Sequence, residues 1–110
     1  KMISSLTEYE QALNNHKQSV MIYYSDWCSD CHYMDTFLPN LEEAYPQISF
    51  FKVNREALKT LSIHLNIYGV PSLLFYHHDT LIKSYIDKSR KSFIEVSNFI
   101  EQCLNEMERR

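Results

Sequence analysis

The chain has 110 residues, 45% hydrophobic and 23% charged, proportions of a globular protein able to bury one core. A net charge of −3 leaves no basic surface for nucleic acid, no apolar stretch is long enough for a membrane span, and three cysteines are too few, and odd in number, for a disulfide scaffold. No signal-like segment, linker or repeat stands out, so the sequence predicts one domain over 1–110, working in the cytoplasm as a monomer, with Lys1 an addition ahead of a native start at Met2.

Ser5-Leu6-Thr7-Glu8 matches a capping box, and Leu6, Tyr9, Ala12 and Leu13 follow at helical spacing. Val20-Met21-Ile22-Tyr23-Tyr24 is a short, unbroken apolar run, as expected of a central strand covered on both faces. After Trp27-Cys28-Ser29-Asp30-Cys31, the stretch Tyr33 to Tyr45 reads as one long helix with Met34, Phe37, Leu38, Leu41, Ala44 and Tyr45 on one side. Pro39 falls inside it and is expected to kink it; Pro46 is expected to end it. Ile48 to Val53 reads as a second strand, and Leu58, Leu61, Leu65 and Ile67 as a short helix leading to Tyr68-Gly69-Val70-Pro71. Ser72–Tyr76 and Leu81–Ile86 flank the polar His77-His78-Asp79-Thr80, a hairpin with a four-residue turn that lacks the usual glycine. Ser92-Phe93-Ile94-Glu95 is a second capping box. Phe93, Val96, Phe99, Ile100, Cys103, Leu104 and Met107 give the last helix its apolar stripe. The order βαβ, helix, hairpin, helix predicts an α/β fold: a mixed sheet flanked by helices on both faces.

The cysteine pair carries the chemistry. A strand that delivers two cysteines to the first turn of a helix places Cys28 where free N–H groups and the helix dipole favour a thiolate. Cys31, three residues on, shares that helix face and lies within disulfide reach. The pair therefore reads as a redox couple: Cys28 attacks a substrate disulfide, and Cys31 resolves the mixed disulfide.

These residues resemble the thioredoxin family across nearly the whole chain. The resemblance rests on Trp27-Cys28-Ser29-Asp30-Cys31 and on Gly69-Val70-Pro71-Ser72-Leu73-Leu74-Phe75, with Pro71 forty residues past Cys31. It implies the thioredoxin fold and a cis Pro71 opposite the cysteines, which leaves the Val70 backbone free to pair with an extended substrate. It also implies a supporting Lys52 in Lys52-Val53-Asn54, and a substrate-contacting Trp27. The Ser-Asp dipeptide is similar to a Trp-Cys-x-Asp-Cys subgroup. Three departures stand out: Ile22 occupies the place of the family's buried strand acid, Pro39 falls a turn later than the family's helix proline, and Asp79 and Asp87 replace two glycines.

The expected activity is thiol–disulfide oxidoreduction on protein or small-molecule disulfides. Electrons would come from a thioredoxin-reductase-like donor, with no bound cofactor. A non-enzymatic interaction module, or a dedicated redox partner of one protein, is the competing class. Asp30 is expected to set a carboxylate against the thiolate and hold the couple toward the reducing end. His32 completes a Cys-x-x-Cys-His haem-attachment pattern but reads more simply as a helix residue beside the active-site loop. A zinc site lacks ligands. Cys103 reads as a core residue, and His77 and His78 as a solvated turn whose side chains point apart.

Overall fold

The computed structural model describes residues 2–109; Lys1 lies outside them. Along the chain run β1 (Met2–Ile3), α1 (Leu6–Asn15), β2 (Gln18–Tyr24), α2 (Ser29–Asp35), α3 (Leu38–Ala44), β3 (Ser49–Asn54), α4 (Lys59–His64), β4 (Ser72–His77), β5 (Thr80–Tyr85) and α5 (Phe93–Glu108). The sheet has five strands in the order β1-β3-β2-β4-β5. β2 pairs parallel with β3 and antiparallel with β4, so the sheet is mixed.

β2 lies at the centre, which explains its continuous apolar run. Met21 and Tyr23 face one core with Tyr9, Ala12 and Leu13 of α1 and Leu58 before α4. Val20 and Ile22 face the other, with Met34 of α2, Leu41 of α3 and Val96, Phe99, Ile100 and Cys103 of α5. Alternation with period two thus splits one strand between two buried faces. On the first face the hydroxyls of Tyr23, Tyr9 and Tyr76 form a buried chain with both links at 2.9 Å.

Several local expectations change. The long helix is broken rather than kinked: α2 ends at Asp35 and α3 begins at Leu38, with Pro39 in its first turn. Proline has no N–H to bond back into α2, but it is well suited to a helix start, so the chain restarts there. The hairpin turn is shorter than four residues, since His77 pairs with Thr80 and leaves only His78 and Asp79 between. His78 takes the positive φ of 49° that a glycine would have supplied. That reversal brings the His77 and His78 rings into a stack 5.3 Å apart, so they do not point apart as expected. At Ser5 the cap is one-sided: Ser5 Oγ accepts from the Glu8 N–H, but the Glu8 carboxylate accepts from Ser4 N–H instead of Ser5 N–H. The second capping box, Ser92 with Glu95, forms in both directions. Strand β1 went unread because two residues carry no pattern.

The glycine at position 69 is required by a close approach. A Cβ there would fall well inside contact distance of the Asp87 carbonyl and the Lys88 side chain. The segment after β5 therefore lies directly on the loop before β4. Gly69→Ala should lower stability by about 1–3 kcal/mol, the usual cost of overpacking, read as a lower urea midpoint with an unchanged m-value.

Candidate active site

The C-terminal end of β2 and the N-terminus of α2 meet beside the loop that enters β4. Cys28 is the N-cap of α2: its Sγ accepts from the Cys31 N–H at 3.2 Å. The same thiol donates to the Val70 carbonyl at 3.7 Å, across the join between the two loops. All three cysteines are free thiols. Cys31 is fully buried one turn behind Cys28. Burial, and then the contact with Cys28, push its pKa up to about 12, against a backbone bond from Ser25 that favours the thiolate. Cys103, buried in the second core, is also pushed up to about 12 by desolvation.

An open groove of about 480 Å³ runs along this seam, lined by Trp27, Cys28, Ser29, Asp30, Arg55, Tyr68, Gly69, Val70 and Lys88. Trp27 is 72% exposed and Tyr68 52%, so both present bare aromatic surface at the groove. The expected site residues thus come together, with two adjustments. Val70–Pro71 is cis, but Pro71 is buried and is not among the residues that line the groove. Lys52 lies away from the groove on β3, where its Nζ bonds Asp35 at 2.6 Å and sits 5.0 Å from the centre of the Tyr24 ring.

Asp30 carries a partner that the sequence did not suggest. Arg90, sixty residues away, donates from Nε to its carboxylate at 2.8 Å and stacks over the Tyr33 ring at 4.2 Å. The carboxylate expected to oppose a thiolate is therefore paired with a cation, although its charge still raises the pKa of Cys31.

A second cluster stands behind the cysteines. Tyr24 Oη and His32 Nδ1 are 2.6 Å apart, and His32 Nε2 lies 2.7 Å from the Asp26 carbonyl in the active-site loop. Tyr24 also donates to Asp35 at 3.3 Å, and burial followed by the Asp35 charge push the tyrosine up to about 12. Ile22 is buried among apolar side chains of the second core. The carboxylate beside Lys52 comes instead from α2, as Asp35. Arg55, Tyr68 and Lys88 went unread because each is ordinary in sequence and acquires its place only through the packing of three separate loops. Among the described residues, no group of three or more His, Cys, Asp or Glu side chains is placed to hold a metal ion.

The family model for thioredoxin matches residues 2–102. The chain is 22% identical over 97 residues to thioredoxin of Ophiophagus hannah, covering 86% of this chain and 92% of that one. It is 27% identical over 74 residues to the mitochondrial thioredoxin-2 of Schizosaccharomyces pombe, covering 67% of this chain and 56% of the length of that relative. Its fold superposes on a structure of Plasmodium falciparum thioredoxin with a TM-score of 0.80 at 17% identity, covering 93% and 97% of the two chains. A Cys-x-x-Cys pair on this fold defines a thiol–disulfide oxidoreductase. The chain belongs to the thioredoxin family.

Two outcomes follow from the geometry. With limiting iodoacetamide near pH 8, Cys28 should be labelled first. Cys31 and Cys103, with pKa values near 12, hold only about one thiolate in ten thousand at that pH and should react only in denaturant. Mass spectrometry of the labelled peptides checks the order. Asp30→Asn removes the negative charge and leaves the Arg90 cation uncovered beside the thiol, so it should move the redox equilibrium against a glutathione buffer toward the oxidising side. Arg90→Gln, which uncovers the carboxylate, should move it toward the reducing side.

Proposed function

We propose that the protein reduces disulfides of other proteins and small molecules through a dithiol–disulfide cycle at Cys28 and Cys31. The observation that carries this reading is the asymmetry of the pair. Cys28 lines the groove, while Cys31 is fully buried behind it with its N–H bonded to Cys28 Sγ. Cys28 is itself largely buried, and the groove wall is where a substrate sulfur can approach it in line.

In the first step the Cys28 thiolate attacks one sulfur of the substrate disulfide. A Cys28–substrate disulfide forms, and the other substrate sulfur leaves as a thiolate that takes up a proton. Cys31 then loses its proton and attacks Cys28 Sγ, closing the Cys28–Cys31 disulfide and expelling the second substrate thiolate. Two electrons and two protons pass from the pair to the substrate. Burial makes Cys31 hard to deprotonate, which keeps it from competing for the first attack. The Ser25 bond that favours its thiolate helps it in the second.

Trp27 and Val70 act as substrate contacts, the first through its exposed ring and the second through its backbone in the groove. Pro71 supports Val70, and Asp30 and Lys52 support the active-site turn and α2 through Arg90 and Asp35. The chain works as one domain and a monomer, regenerated by a thioredoxin-reductase-like donor, with no bound cofactor and without nucleic acid or membrane partners. Among the described residues no helix is long and apolar enough to cross a membrane. The cytoplasm is the compartment proposed.

Insulin reduction by dithiothreitol, followed by turbidity, tests the reading. The protein should accelerate precipitation, Cys28→Ser should return it to the dithiothreitol background, and Cys31→Ser should accumulate a mixed disulfide visible on non-reducing gels. Full activity in Cys28→Ser would refute it.

A further inference from the structure

The charges around the groove do not match those of the chain as a whole. The chain is net negative, at −3. Of the groove-lining residues, Asp30 is the one acid and Arg55 and Lys88 are the cations. Asp30 is held by Arg90 at 2.8 Å. The next acid along that wall, Asp87, is held by Lys91 at 2.6 Å and by the Ser89 N–H at 2.9 Å. Arg55 and Lys88 have no ion-pair partner among the described residues. Asp26 and Glu56 are exposed nearby but do not line the groove, and Glu56 accepts from Ser25 Oγ at 2.9 Å.

Both cations are positioned by backbone rather than left on a loose loop. The Arg55 N–H bonds the Tyr24 carbonyl at 3.1 Å, at the end of β2. The Lys88 stem packs against Gly69, where no side chain intervenes. The two stand on different elements around the same reactive sulfur.

We propose that Arg55 and Lys88 make this groove select disulfides whose flanking residues are acidic. Trp27 and Tyr68 offer apolar contact to any extended segment, and the unpaired cations add discrimination by charge. The inference rests on the reductase reading given above, because it concerns which disulfides reach Cys28.

The test uses two peptide disulfides of identical sequence except for glutamates or lysines beside the cystine. At low salt the intact protein should reduce the glutamate-flanked peptide with a kcat/KM roughly three to ten times that of the lysine-flanked one, the scale expected of two exposed charge contacts. The ratio should fall toward one in Arg55→Gln/Lys88→Gln, and in the intact protein at high salt. A ratio near one in the intact protein at low salt overturns the proposal, as does a preference that survives in the double variant. Circular dichroism establishes that the variant is folded; the single variants, each expected to lose part of the ratio, serve if it is not. A second readout is independent of turnover. In Cys28→Ser, quenching of Trp27, the chain's single tryptophan, is titrated with the same two peptides in reduced, S-methylated form. The acidic peptide should bind more tightly, and equal binding overturns the selectivity. If neither peptide nor the neutral hydroxyethyl disulfide is reduced by the intact protein, the reductase reading fails, and the titration still decides the charge preference.

Discussion

The site depends on one constraint: Cys28 must cap a helix while touching the loop that enters the strand antiparallel to β2. Its sulfur is held between the Cys31 N–H and the Val70 carbonyl, so it belongs at once to the start of α2 and to the entry of β4. This is possible because β2 and β4 are neighbours in the sheet, with Tyr23 opposite Ser72 at the end where the chain leaves β2. The same neighbourhood leaves a groove between the two loops, and the reactive sulfur lies in its wall. Reactivity and substrate access thus follow from a single crossing point, at the C-terminal end of a central strand where the sheet changes direction.

The segment between β5 and α5 completes the groove, and its own stability comes from an unusual residue. Lys91 is fully buried. A buried ammonium is costly unless its donors are satisfied, and here they reach the Asp87 carboxylate at 2.6 Å and the Ser89 carbonyl at 2.7 Å, beneath the Tyr85 ring. Burial would raise the Asp87 pKa, but the bonds from Lys91 and Ser89 outweigh it and leave the carboxyl below its ordinary range. The pairing is therefore intact at neutral pH and is lost on acidification through that lowered pKa. Lys91 makes the turn compact, Gly69 lets it approach, and Arg90 emerges from it onto Asp30.

Behind the cysteines, polar groups are arranged differently from what the family resemblance suggested. Ile22 leaves β2 without a charge in the core, and Asp35 provides the carboxylate for Lys52 from the end of α2. Tyr24 ties that carboxylate to His32, and His32 ties it to the active-site loop at Asp26. The network fixes the end of β2, the loop and α2 relative to one another. Such cross-links hold a reactive group to a narrow range of positions.

The cysteine motif, the cis proline motif and the unbroken apolar runs of β2 and β4 were legible because each is a local statement: a helix start, a loop type, a strand covered on both faces. The final helix was equally legible, since the Ser92–Glu95 box forms as its sequence implies. Element ends were less so. Pro39 reads from sequence as a kink within one helix, whereas in the fold it lies in the first turn of a second helix, with Met34 of α2 and Leu41 of α3 packed into the same core. The pairing of His77 with Thr80 set a two-residue turn where the polar run of side chains had suggested four. What the sequence by itself determined was the pair of thiols and the sheet that carries them. Tertiary structure alone decided the charge around those thiols. Arg55, Lys88 and Arg90 lie far apart along the chain from the cysteines, and an electrostatic partner depends on distance in space, which the spacing of residues along a chain does not encode.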